Sequence, residues 1–189
     1  PNLVTLHRTL KTSSFILLLL KYVPGEDLFY FLEQSCDHCE IDSPDSLLSN
    51  MNPAQQLSHT WLHLISSMFS QMCDTVAACH DQHVFHRDIK PENFIVTDAR
   101  HTREDSTTER KVVVKFTDFG LSTTDAQLSD MDCGSAPYMS YECRNNAAPT
   151  YSPCAADVWS LGIVLINTCV SLKLLAIHPS HSLIQVVPL

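Results

Sequence analysis

Glycine is scarce in this sequence: four residues in 189, at Gly25, Gly120, Gly134 and Gly162. No two lie close together, so the 189 residues contain no Gly-x-Gly loop able to cradle phosphates. Basic residues are also few. Twelve Lys and Arg against 21 Asp and Glu leave a net charge of −9, which argues against nucleic acid or an anionic membrane surface as a main partner. Charged residues amount to 17%, below the roughly 25% of ordinary soluble domains. With 44% hydrophobic residues a sizeable core can form, and the composition argues against wholesale disorder. The length suits one domain. Neither a signal peptide nor a transit sequence follows Pro1, so the eight cysteines are expected to be free thiols in a reducing, intracellular setting, cytoplasm or nucleus.

Phe15 to Leu20 is an apolar run of the length of a buried strand. Pro24-Gly25 punctuates it, and Leu28 to Leu32 resumes an apolar pattern as a short helix. Ser35 to Asn50 reads as a polar, acidic loop. Asn52-Pro53-Ala54-Gln55 has the form of a helix start, after which Leu57, Trp61, Leu64, Met68, Met72, Val76 and Cys79 recur every three or four residues. That spacing predicts a long amphipathic helix with one buried face. Phe94-Ile95-Val96 and Val112 to Phe116 read as two short strands joined by a charged, solvated loop from Thr97 to Arg110. Val158 to Ile177 is apolar enough for either a membrane span or a helix buried in a core. Asn167 and Lys173 make the buried helix the better reading, because a central Lys costs roughly 2.5–3.5 kcal/mol on insertion scales.

Chemistry concentrates in two blocks. His86-Arg87-Asp88-Ile89-Lys90-Pro91-Glu92-Asn93 lies between the long helix and the first short strand, and Asp118-Phe119-Gly120 follows the second strand. A carboxylate at Asp88 can orient an attacking hydroxyl and accept its proton. A cation two residues on, Lys90, can neutralise charge on a migrating phosphoryl group. The amide oxygen of Asn93 and the carboxylate of Asp118 are hard donors of the kind Mg²⁺ takes. A hairpin between Asn93 and Asp118 brings those two side by side.

On these residues the sequence resembles the eukaryotic protein kinases, and the serine/threonine branch in particular, because Lys90 follows Asp88 by two. The resemblance implies an α+β fold: a truncated protein-kinase-like domain over residues 1–168, followed by an unmatched tail over 169–189. Residues 1–20 resemble the last small-lobe strands, 21–27 the hinge, and 28–168 the front of a mainly helical large lobe holding a short β-hairpin. ATP and Mg²⁺ are the implied cofactors, and a protein carrying a Ser or Thr acceptor is the implied partner. In this likeness the Lys21 carbonyl and Val23 amide would bond adenine, Asp27 would approach the ribose, and Ile95 would floor the pocket. Leu20 would be the gatekeeper. Cys133 to Tyr138 is similar to the substrate-docking loop, with Ser135 bridging Asp88 and Lys90. Glu142 is the one match to an Ala-Pro-Glu motif, and Asp157 would accept hydrogen bonds from the catalytic-loop backbone. His86 would support that loop, and Gly120 completes the Asp-Phe-Gly motif. Arg87 would pair with negative charge on the segment from Asp118 to Glu142. That charge could come from a phosphate on Ser122, Thr123, Thr124 or Ser129, or from Asp125, Asp130 or Asp132 unmodified. The aspartates are the preferred source.

Departures set further expectations. A Gly-rich lid, a strand Lys on the phosphates and a helix Glu are expected to belong before Pro1, and the later large-lobe helices are lacking. The chain is therefore expected to be inactive alone. The alternative function is a non-catalytic, kinase-like module that binds nucleotide or protein. Cys36, His38 and Cys39 could form half of a zinc site, but an incidental loop is preferred for want of a second pair. Oligomeric state is not legible.

Overall fold

A computed structural model describes residues 2–37, 59–102 and 108–177. The predicted cap at Asn52, the zinc-site reading of Cys36, His38 and Cys39, and the end of the 169–189 tail lie outside the described residues or side chains.

The elements follow as β1 (Leu6–Lys11), β2 (Ile16–Leu20), β3 (Glu26–Asp27), α1 (Leu28–Asp37), α2 (His59–Asp81), β4 (Phe94–Thr102), β5 (Thr108–Phe116), α3 (Tyr141–Asn145) and α4 (Pro153–Ile177). Short 3-10 turns at Pro91–Asn93 and Phe119–Leu121 flank the β4–β5 hairpin. β1 and β2 form a two-stranded antiparallel sheet; β3, β4 and β5 form a second sheet in that order. Residues 2–4 run parallel to the end of β5, with the Val4 amide donating to the Phe116 carbonyl at 2.9 Å.

Alternation decides which face of β4 and β5 is buried. Phe94 pairs with Phe116 and Val96 with Val114, and all four side chains are buried against α2. The helix answers with Met68, Met72 and Val76 of the predicted stripe and with Ile65, which takes the buried place expected of Leu64; Leu28, Leu32, Ile89, Leu161 and Val164 join them. Burying each such side chain is worth about 1.5–3 kcal/mol. Gln71 then ties helix to sheet, donating to the Val112 carbonyl at 3.1 Å while its Oε1 accepts from the Val114 amide at 3.1 Å.

Three expectations change. The hairpin strands extend to Thr102 and from Thr108, so most of the expected loop from Thr97 to Arg110 is ladder. Backbone pairing, once registered by Phe94 and Phe116, continues through polar residues because it does not depend on their side chains. Ser35 to Asp37 is helical, closing α1, rather than loop. Finally, the β2 run is exposed rather than buried: Ile16 to Leu20 retain 43–65% of their surface, since among the described residues nothing covers the β1–β2 ladder.

α4 starts at Pro153, whose fixed φ suits a first helical position, and the Ser152 hydroxyl accepts from the Ala155 amide. It packs one face into the core. Asp157, Ser160, Leu161, Val164 and Thr168 face inward, while Val158, Trp159 and Ile166 face solvent. Among the described residues, no helix is long and apolar enough to cross a membrane.

Candidate active site

Between α2 and β4 the one helical piece is the short 3-10 turn at Pro91–Asn93, so the position of the residues before it depends on bonds to their neighbours. Asp157, 1% exposed near the start of α4, supplies them. Its Oδ2 accepts from the His86 amide and its Oδ1 from the Arg87 amide, both at 2.8 Å. His80 Nε2 adds a bond to Oδ2 at 2.9 Å. A carboxylate is only an acceptor, so this arrangement fills it with three donors and fixes the backbone where the loop turns. Arg87 there has φ 71°, and Asp118 has φ 62°. Left-handed backbone at a non-glycine residue costs roughly 1–3 kcal/mol, which surrounding bonds must offset.

His86 is buried and stacked on Phe116 with ring centres 4.3 Å apart. Its Nδ1 accepts from the Asp88 amide at 3.3 Å, and its Nε2 meets the Thr117 carbonyl at 3.1 Å. Those two partners require the neutral tautomer with the proton on Nε2. Burial holds the imidazole below its ordinary pKa, against the opposing pull of the Thr117 carbonyl and nearby aspartates.

Asp88, Lys90, Asn93 and Ser135 come together. Lys90 Nζ donates to Asp88 Oδ2 at 2.7 Å and to Ser135 Oγ at 2.9 Å, and the Ser135 hydroxyl donates to Asp88 Oδ1 at 2.8 Å. Burial opposes ionisation of Asp88, yet the bonds from Lys90 and Ser135 prevail and hold its carboxyl below the ordinary range. Asn93 donates through Nδ2 to the Asp88 carbonyl at 2.8 Å. This commits the amide nitrogen and turns Oδ1 the other way, as an oxygen donor.

Asp118 arrives on the neighbouring strand end. The Thr117 amide donates to the Asn93 carbonyl at 3.0 Å, which places Asp118 one residue beyond that bond. Its exposed carboxylate accepts from the Gly120 amide at 3.4 Å, and a Cβ at Gly120 would press on the same oxygen. One amide oxygen and one exposed carboxylate are hard donors, so the residues present fit a divalent cation of the Mg²⁺ type. Among the described residues, no three His, Cys, Asp or Glu side chains form a metal cluster.

Arg87 reaches the segment after Asp118. Its Nη2 donates to Asp130 Oδ2 at 2.9 Å and to the Asp130 carbonyl at 3.2 Å, and its Nε donates to the Tyr151 hydroxyl at 3.0 Å. Glu142 sits half-buried in the first turn of α3, with no ion pair among the described residues.

The remaining predicted positions lie along the β2–β3 connection. The Lys21 amide is taken by the Thr5 carbonyl at 2.8 Å. Val23 is half-buried, and Ile95 lies opposite Asp27 in the β3–β4 ladder. Asp27 also caps α1, its Oδ1 accepting from the Tyr30 amide at 2.9 Å. Gly25, at φ 151°, abuts β4 so closely that a Cβ would overlap the Val96 carbonyl.

Sequence reasoning missed His80, Tyr151 and the backbone role of Gly134. Ten histidines gave no reason to single out His80, since its partner Asp157 is 77 residues away. Gly134, at φ 108°, lies where a Cβ would come within 2.6 Å of the Arg87 carbonyl. Its scarcity as a residue type was the only available signal.

The sequence pattern of the family described as "Protein kinase domain" matches residues 1–185. The matched range thus continues past Thr168. A fission yeast (Schizosaccharomyces pombe) protein, "Negative regulator of sexual conjugation and meiosis", is 31% identical over 189 residues, covering 89% of this chain and 34% of that protein. "CBL-interacting serine/threonine-protein kinase 17" of Arabidopsis thaliana is 32% identical over 170 residues, covering 87% of this chain and 31% of its own length. "Serine/threonine-protein kinase ksp1" of Schizosaccharomyces pombe is 40% identical over 105 residues, covering 55% of the chain and 21% of that protein. The chain therefore spans about a third or less of the length of these curated relatives. With the family pattern matched over nearly its whole length, and the paired Asp88 and Asn93 beside Asp118, this chain belongs to the protein kinase family.

Proposed function

We propose that the chain forms the catalytic front of a serine/threonine protein kinase, moving the γ-phosphoryl group of ATP to Ser or Thr hydroxyls of proteins. The observation that carries this reading is the closed set of bonds among Asp88, Lys90 and Ser135. Residues 1–20 act as the end of the small lobe, 21–27 as the hinge and 28–168 as the front of the large lobe. The Lys21 carbonyl and Val23 amide serve adenine, Asp27 the ribose and Ile95 the pocket floor.

Mg²⁺-ATP supplies the transferable group and neutralises its charge when bound. The protein's own part is positioning. Asn93 Oδ1 and the Asp118 carboxylate hold the metal. Asp88 orients the acceptor hydroxyl. Because Lys90 and Ser135 keep its carboxylate weakly basic, Asp88 takes the proton late, after the new oxygen–phosphorus bond has acidified the hydroxyl. Lys90 lies 2.7 Å from Asp88 and balances negative charge at the same spot. His86 and Asp157 position the loop without touching substrate, Gly120 lets the Asp118 turn close, and Glu142 steadies the end of the docking segment. Arg87 draws its counter-charge from Asp130, so the segment after Asp118 stays docked without phosphate.

Full-length protein incubated with Mg²⁺ and labelled ATP, with an unstructured acceptor protein, tests the reading. Label on Ser and Thr, retained after phosphatase pretreatment of the enzyme, is expected. Label confined to Tyr, or none with ATP bound, would overturn it.

A further inference from the structure

Cys154 is the second residue of α4, and its Sγ lies 3.3 Å from His80 Nδ1. The opposite ring nitrogen, Nε2, is 2.9 Å from buried Asp157 Oδ2. Asp157 can only accept, so Nε2 carries the proton and Nδ1 presents its lone pair to the thiol. Thiol, imidazole and carboxylate therefore stand in the order nucleophile, base and orienting group. Phosphoryl transfer uses neither Cys154 nor the Nδ1 lone pair of His80.

We propose that Cys154 is a thiol–disulfide exchange site with His80 as its base, taking small organic disulfides as co-reactant. The sulfur attacks one sulfur of the incoming disulfide and the thiol proton passes to His80 Nδ1. One S–S bond forms at Cys154, the original S–S bond breaks, and the departing thiolate recovers the proton from His80. No net oxidant is consumed beyond the disulfide itself. Asp157 stabilises the transient imidazolium. Of the other described thiols, burial pushes those of Cys73, Cys79, Cys133 and Cys143 up, towards the unreactive protonated form. Cys154 is half-buried, and its chain neighbour Ala155 is exposed. The site does not depend on the kinase reading, since exchange needs neither ATP nor metal.

The test treats full-length protein at pH 7 with 2-hydroxyethyl disulfide, quenches with acid, and follows each cysteine by peptide mass spectrometry. Cys154 is expected to react at least tenfold faster in native protein than in the same protein unfolded in urea. His80→Gln, whose amide can still donate to Asp157 but offers no base at Sγ, is expected to lower the native rate about tenfold. A native Cys154 that reacts no faster than the unfolded one, or at the same rate after His80→Gln, overturns the proposal. Should that variant fail to fold, the native-to-unfolded ratio decides alone.

Discussion

The loop from His86 to Asn93 and the β1–β2 hairpin invert what their compositions suggest. The loop is polar and charged, yet its His86 and Asn93 are buried and bonded, and its backbone hangs on a carboxylate 1% exposed. The hairpin holds the most apolar run among the strands, yet Phe15 to Leu20 keep 43–69% of their surface. Burial here follows the availability of partners rather than hydrophobicity. A polar group goes inside when each donor and acceptor is met, and an apolar strand stays outside when no second layer covers it.

The comparison breaks most sharply at Asp157. Asp157→Ala orphans the His86 and Arg87 amides and one nitrogen of His80, and should cost roughly 3–5 kcal/mol in urea unfolding. A cost below 1 kcal/mol would mean that the loop does not depend on that carboxylate. Next in size is Gly134→Ala, which places a Cβ against the Arg87 carbonyl at a φ of 108°. About 1–3 kcal/mol of strain is expected, read as a drop in unfolding midpoint.

Acid sharpens the same contrast. His86 is held neutral below its ordinary value of 6.5, so the unfolded chain takes up the proton first as pH falls. The contribution is complete above that value and is lost as pH falls from 6.5 towards the lower folded one, at up to about 1.4 kcal/mol per pH unit. Asp88 is held below its ordinary 3.8, so its contribution persists above that value and disappears only in stronger acid. Unfolding curves should therefore show two separated losses, the upper one missing in His86→Gln. On the hairpin the smallest effect is expected: Leu18→Thr should change stability by under about 0.5 kcal/mol while reducing aggregation seen by light scattering.

Local spacing made α2 legible, because Met68, Met72 and Val76 repeat at helical intervals. It made the Asp88–Asn93 and Asp118–Gly120 blocks legible too, since residue type and order carry their chemistry. Burial was less so. Ile16 to Leu20 read as a buried strand because a sequence run cannot show whether a second layer exists. The strands β4 and β5 were drawn short because propensity stops at the first polar residues while ladder hydrogen bonds do not. His80 escaped notice for a different reason: its importance comes from Asp157 and Cys154, 77 and 74 residues away, and no local signal encodes such a meeting.

In the proposed reaction Asp88 is the carboxylate that directs the acceptor hydroxyl. Asp88→Asn keeps the side chain's size and its hydrogen-bonding neighbours Lys90 and Ser135 while removing the charge. In full-length protein with an unstructured acceptor, the rate of Ser/Thr phosphorylation should fall between about 10²- and 10⁴-fold with ATP affinity within a few-fold of the parent. Phosphorylation at the parental rate in a folded Asp88→Asn protein would contradict it.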